Sequence, residues 1–156
     1  MTTRALIGLG SNLGDRRATL DAALAALASL AGVEVRAVSA YHQTEPVGGP
    51  GGQGPFLNAA ALLATALEPL DLLAALHEIE RKLGRVRTVR WGERTLDLDL
   101  LLFGDRVVDS RELTVPHPRI ASRRFVLIPA AEIAPAMADP IRRRTIAQLL
   151  ADLDRP

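Results

Sequence analysis

The sequence predicts an α+β fold, an antiparallel sheet flanked by helices with a C-terminal extension. Three observations predict it. Apolar runs of strand length (RALIGL, FLNAAALLATAL, TLDLDLLLF) are interleaved with two stretches of helical periodicity. Hydrophobic residues make up 48% and charged residues 24%, which suits a packed core and argues against disorder. The length, 156 residues, matches one domain, so residues 1–156 are expected to form a single domain.

Residues 4–9 suit a buried strand ended by Gly10. Asn12 to Asp15 offer cap chemistry, and GLGSNLG at 8–14 reads as a strand-to-helix turn with a capping Asn. Its spacing is not that of a phosphate-binding loop, and no G-x-x-x-x-G-K-[ST] occurs. Leu20, Ala23, Leu24, Leu27 and Leu30 then recur at helical spacing. Val33, Val35, Ala37 and Val38 predict a second strand running to about Thr44. Residues 45–55 (EPVGGPGGQGP) hold five glycines and three prolines, which exclude helix and ladder and predict a mobile loop. Residues 56–67 are taken as a strand because Pro69 then opens a helix at its first position, closed by Gly84. A charged loop, RVRTVRWGER, leads into TLDLDLLLF, whose alternation predicts a strand; Gly104-Asp105 turns the chain and RVVD reads as a short return strand. The remainder predicts loop, a short helix and a terminal helix near 145–153. This order, βαββαβ, is that of a ferredoxin-like core with its helices on one face of the sheet.

Composition excludes several functions. Lys+Arg 19 against Asp+Glu 18 leaves a formal charge of +1, too balanced for blanket attraction to nucleic acid. The absence of cysteine excludes disulfides, thiolate nucleophiles and cysteine-built zinc sites. No apolar run reaches the roughly 18 residues that span a bilayer. Residues 1–14 lack a basic stretch ahead of a long apolar segment, so no signal peptide and a cytoplasmic location are expected. No obligate protein partner is evident, and a monomer is expected.

The sharpest chemical feature is Asp97-Leu98-Asp99. On a strand the two carboxylates share one face, about 6.6 Å apart along the chain, while Leu96, Leu98, Leu100 and Leu102 point to the other. Paired carboxylates repel unless neutralised, and a hard divalent cation such as Mg²⁺ suits them, although the solvated outer face of a sheet carries such pairs too. Arg85, Arg87, Arg90 and Arg94 lie just upstream, where they would hold phosphate oxygens or contact RNA. Phe56, Trp91 and Phe125 sit in or beside loops, where aromatics anchor the chain or stack on a planar ligand; Asn58 would share a face with Phe56. His117 sits in a rigid VPHP turn.

Arg90-Trp91-Gly92-Glu93-Arg94-Thr95-Leu96-Asp97-Leu98-Asp99-Leu100-Leu101 closely resembles the signature of the 6-hydroxymethyl-7,8-dihydropterin pyrophosphokinases of folate biosynthesis. The resemblance continues through IGLGSNLGDR, TEPVGG with FLNAA, GRVR, and LTVPHPRIASRRFVLIP. It implies transfer of the pyrophosphoryl group of ATP to the pterin hydroxymethyl oxygen, with release of AMP. By resemblance, Asp97 and Asp99 hold two Mg²⁺ ions, and Arg85, Arg87 and Arg94 are catalytic arginines. Thr44, Val47, Phe56, Asn58, Trp91 and Phe125 match the pterin site. His77, Glu80, Arg85, Trp91, Arg94, Leu100, Thr114, His117 and Arg123 match positions around ATP. Glu93 stands where the family commonly has proline. Two alternatives remain at this point: an RNA-binding module of the same fold, and a relative that binds pterin or nucleotide without turnover.

Overall fold

The computed structural model describes residues 1–12, 15–44, 56–84 and 96–155. Its main sheet contains Thr3–Ser11 (β1), Val33–Val38 (β2), His42–Thr44 (β3), Phe56–Thr65 (β4) and Asp97–Phe103 (β5). The order is β2–β4–β1–β5, with β3 also paired to β4, and every pairing is antiparallel. The central strands β1 and β4 are buried almost end to end. Their unbroken apolar runs follow from cover on both faces of the sheet, where a one-sided sheet would show alternation.

One face packs on Arg16–Ala28 (α1) and Pro69–Gly84 (α2). Ala5, Ile7 and Leu9 of β1, Ala59, Ala61 and Leu63 of β4, and Leu98 and Leu100 of β5 meet Leu20, Ala23 and Leu27 of α1 and Leu72, Leu76 and Ile79 of α2. The opposite face packs on Arg124–Ile133 (α3), joined by Ile146–Leu153 (α4). There Leu6, Ala60, Leu101 and Leu102 meet Val126, Leu127 and Ala130 of α3 and Ile146 and Leu149 of α4. The expectation of helices on one face is therefore corrected: the C-terminal extension supplies a second layer. That layer covers only part of its face and leaves Gly8, Gly10, Asn58, Asp97 and Asp99 lining an open space.

Other boundaries also differ from the sequence reading. β1 continues through Gly10 to Ser11, and of the residues 12–15 expected to offer cap chemistry it is Asp15, not the Asn, that caps α1, its carboxylate accepting from the Ala18 N–H at 3.0 Å. The second predicted strand is two, β2 and β3. Val108–Asp109 (β6) pairs with Thr114–Val115 (β7) and not with β5. A last two-residue ladder joins Ala138–Asp139 (β8) to Arg144–Thr145 (β9), and α4 then opens with a Thr145/Gln148 capping box. Pro69 is the first residue of α2, as read.

The alternation of β5 holds for Leu96, Leu98 and Leu100 and then slips. Between the pairs Ile7–Leu100 and Leu6–Leu102 the register shifts, so Leu101 is an extra residue. Leu101 and Leu102 both join the second layer, and Leu102 lies opposite to the expected face. At the other end of β5, Gly84 abuts Leu96: a Cβ on Gly84 would lie 3.2 Å from the Leu96 Cβ and 3.3 Å from its backbone nitrogen. A side chain there would force Leu96 or the end of α2 to shift by a few tenths of an ångström.

Two forces hold α3, and their magnitudes separate their roles. Val126 and Leu127 are buried, worth roughly 1.5–3 kcal/mol for each fully buried side chain. Glu132 accepts from the Ala40 N–H at 2.9 Å and pairs with His42 at 2.5 Å, but both side chains are about a third exposed. Such a pair contributes about 0–1 kcal/mol, so it orients α3 against β3 rather than binding it there.

Candidate active site

Two cavities meet at the carboxylate pair. The larger, about 530 Å³, is lined by Thr44, Phe56, Asn58, Arg119, Arg123 and Phe125, with Gly8 and Gly10 as its floor. The smaller, about 380 Å³, is lined by His77, Glu80, Leu100, Glu112, Thr114 and His117. Asp97 and Asp99 line both. Strand register explains this placement. Asp97 pairs with Gly10, which pairs with Asn58; Asp99 pairs with Gly8 one step along. The glycines put no side chain between the carboxylates on β5 and the amide on β4.

Asn58 is 5% exposed, and its Nδ2 donates to Thr44 Oγ1 at 2.7 Å. This bond orients the amide and leaves its oxygen over Gly10, where a Cβ would approach Asn58 Oδ1 to 3.0 Å and the Phe56 ring to 3.9 Å. Phe125, at the start of α3, is 36% exposed, and the Arg123 guanidinium lies 5.7 Å from the centre of its ring. An aromatic exposed at the lip of a cavity, facing a second aromatic and a fixed amide, suits a flat heterocycle with polar edges.

The carboxylates themselves are half-buried, and Arg123 Nη1 lies 4.0 Å from Asp99 Oδ2. Among the described residues no group of three or more His, Asp or Glu gathers to enclose a metal. A cation held by Asp97 and Asp99 would complete its shell with water and ligand oxygens, as Mg²⁺ does in nucleotide sites, so the donor set fits that ion. Glu80 Oε2 accepts from the Leu98 N–H at 2.7 Å, fixing the backbone between the two aspartates to α2.

His117 is held on both sides. Its backbone N–H donates to the Leu101 carbonyl, and its Nδ1 accepts from the Arg119 N–H at 3.1 Å, which puts the proton of the neutral ring on Nε2. Burial pushes the imidazole below its ordinary range; the Asp99 charge opposes this, and Arg123 and Arg119 add to it.

The structure thus brings together Thr44, Phe56, Asn58 and Phe125 around one cavity and His77, Glu80, Leu100, Thr114 and His117 around the other. Arg123, expected beside ATP, lines the larger cavity. Val47, Arg85, Arg87, Arg90, Trp91, Glu93 and Arg94 lie outside the described residues. Sequence reading missed Gly8, Gly10 and Arg119. Two glycines inside an apolar run were the available signal for the first two, since glycine in a strand marks close approach by something else.

The 7,8-dihydro-6-hydroxymethylpterin-pyrophosphokinase family model matches residues 6–135. A protein of Pseudomonas aeruginosa named 2-amino-4-hydroxy-6-hydroxymethyldihydropteridine pyrophosphokinase is 46% identical over 151 residues, 97% of this chain and 92% of that protein. One of the same name from Bacillus subtilis is 49% identical over 133 residues, 85% and 79% of the two chains. One from Synechocystis is 44% identical over 150 residues, 96% and 76%. A crystal structure of Plasmodium falciparum HPPK-DHPS superimposes with a TM-score of 0.76 at 13% identity; it covers 97% of this chain, which spans only 43% of that one, and it speaks for the fold alone. On the family match and these relatives, the chain belongs to the 7,8-dihydro-6-hydroxymethylpterin-pyrophosphokinase family.

Proposed function

We propose that this chain transfers the pyrophosphoryl group of ATP to 6-hydroxymethyl-7,8-dihydropterin in folate biosynthesis, giving the pterin diphosphate and AMP. One observation carries the reading: Asp97 and Asp99 are the residues common to an aromatic–amide cavity and a second cavity that holds the nucleotide-side candidates. Among the described residues, two substrates seated in the two cavities would meet at this pair.

In this reading the pterin stacks between Phe56 and Phe125, and the Asn58 amide, oriented by Thr44, pairs with its polar edge. ATP lies along the smaller cavity beside His77, Leu100, Thr114 and His117. Asp97 and Asp99 would hold Mg²⁺, in two ions, which when bound neutralises the phosphate oxygens around the attacked phosphorus. Glu80 keeps the aspartates in place through the Leu98 N–H. The pterin hydroxyl oxygen bonds to the β-phosphorus, and the bond from that phosphorus to the α–β bridging oxygen breaks. Its electron pair leaves with AMP, and the hydroxyl proton passes to solvent. Arg85, Arg87 and Arg94 engage the phosphates, Trp91 closes over the site, and Val47 lines the pterin. Catalysis then rests on positioning and charge neutralisation, because no side chain of the cavities is needed as an obligatory base.

The strand order β2–β4–β1–β5 supports reading the scaffold as a ferredoxin-like βαββαβ core in one domain. No helix among the described residues is long and apolar enough to cross a membrane; a monomeric cytoplasmic enzyme is the proposed form. Against the RNA-binding alternative, the open part of the sheet face carries two carboxylates where base-stacking modules carry aromatics. Incubation with ATP, Mg²⁺ and the hydroxymethyl pterin tests the proposal: AMP and the pterin diphosphate are the expected products, and ADP, or no turnover, refutes it.

A further inference from the structure

We propose that Arg119 is a further diphosphate-binding residue, which holds the transferred group on the pterin side of the carboxylate pair. The inference rests on the reading above and deepens it. Arg119 lines the larger cavity and not the smaller one. Nearby, Arg123 pairs with Asp99, Arg124 with Asp154, and Arg142, which also donates to the Pro118 carbonyl, with Asp139. Arg119 makes no ion pair with any described acidic side chain. Its own backbone is fixed instead. The N–H donates to His117 Nδ1, the carbonyl accepts from the Ser122 N–H and Oγ, and Ile120 beside it is fully buried. An exposed arginine that lines a cavity from an anchored backbone, with no described acidic partner, suits an anionic ligand.

The reaction says which anion. Before transfer the β- and γ-phosphates belong to ATP, and among the described residues no arginine lines the smaller cavity. After transfer both phosphates are joined to the molecule in the larger cavity, and their negative charge exceeds what the ion-holding aspartates and their Mg²⁺ would balance. Cations are then needed on that side. Of the two described arginines that line the larger cavity, Arg123 is drawn to Asp99 and lies over Phe125, which leaves Arg119 for the new diphosphate.

Isothermal titration with Mg²⁺ present separates this role from pterin recognition. The ligands are the hydroxymethyl pterin, its diphosphate ester and inorganic pyrophosphate; the proteins are wild type, Arg119→Ala and Arg119→Lys. Arg119→Ala should weaken the diphosphate ester about tenfold, as loss of one charge-assisted hydrogen bond does, and change the parent pterin less than twofold. Arg119→Lys, which keeps the charge without the bidentate fork, should fall between. Folding is not at stake, because the structural bonds of Arg119 are made by its backbone, and matched thermal melts verify this. An unchanged affinity for the ester, or an equal loss for ester and parent, overturns the proposal. Wild-type protein that binds neither pterin refutes the function reading itself. Pyrophosphate then decides Arg119 alone: weaker binding by Arg119→Ala sustains its anion role, and unchanged or absent binding overturns it.

Discussion

Gly10→Ala places one methyl group on the floor of the larger cavity, 3.0 Å from Asn58 Oδ1 and 3.9 Å from the Phe56 ring. The first distance is too short, so the amide must move by a few tenths of an ångström. Its other end is held by Thr44 Oγ1 at 2.7 Å, and the movement strains that bond. At worst the bond is lost, at about 1 kcal/mol net, while the stiffer unfolded chain returns about 0.4–1 kcal/mol. The two nearly cancel, so for a chain of this length the melting temperature should stay within about 3 °C of wild type. Binding behaves differently. A pterin edge that pairs with Asn58 meets a displaced amide and loses one or two neutral hydrogen bonds, about 1–3 kcal/mol, or roughly 10- to 100-fold in affinity. Calorimetric titration with the hydroxymethyl pterin, beside thermal melts, reads both quantities. In an Asn58→Ala background the same glycine substitution should cost little more, because the partner it displaces is gone. Pterin affinity within threefold of wild type for Gly10→Ala, or full additivity with Asn58→Ala, would refute the placement of Asn58 against the ligand.

Asp97→Asn and Asp99→Asn should each lower kcat for AMP release by about 10²–10³-fold, the usual loss when a preorganised charge is removed from a transferring group; a turnover near wild type would remove the carboxylates from the mechanism. Phe125→Ala should weaken pterin binding about tenfold through lost stacking and ring burial while altering stability by no more than about 0.5 kcal/mol, read by titration and urea unfolding. Tyr41 is the chain's one tyrosine, and its phenol is pushed up to about 12 by burial and by the hydrogen bond it donates to Asp21 at 2.6 Å. Absorbance titration should therefore place its ionisation well above 10; the stability it contributes is complete below pH 10 and is lost as pH rises toward 12, a loss that Tyr41→Phe should lack. His117 is shifted the other way, so the unfolded chain takes up its proton first. Stability of the ligand-free protein should decline as pH falls below about 6.5, less so for His117→Asn, whose side-chain oxygen can still accept from the Arg119 N–H; identical urea midpoints for the two proteins at pH 5.5 and 7.5 would contradict the burial of the ring.

Much of this architecture is legible in the amino-acid sequence. Pro69 opens α2 because its missing N–H costs nothing in a first helical turn, and TLDLDL alternates because β5 has one face on helices and one on the cavity. The failures have physical causes as well. A β-bulge at Leu101 is not written in hydrophobicity, since every residue from 100 to 103 is apolar, so the expected face of Leu102 was wrong. GLGSNLG resembles a turn because glycine usually breaks strands. Here residues 8–11 stay in β1, with both neighbouring strands supplying ladder bonds and the missing side chains of Gly8 and Gly10 forming the cavity floor. The second layer was foreshadowed by the lack of alternation in FLNAAALLAT, a pattern that a one-sided sheet does not produce. Which arginine belongs to which cavity depends on how the turn at 120–122 folds back, and sequence spacing does not encode that.

The way β5 ends the sheet has a consequence beyond catalysis. A terminal strand usually offers its outer row of amides and carbonyls to any extended chain that drifts past, and many proteins aggregate through such borders. Along β5 that border is interrupted: the Leu98 amide is taken by Glu80, and the Leu101 carbonyl by the His117 amide. A foreign strand would find its register broken within three residues, beside two negative charges. The Glu80 contact that steadies the aspartates thus also occupies an amide on this border, and truncating Glu80 should make the edge more open to pairing, read as concentration-dependent light scattering.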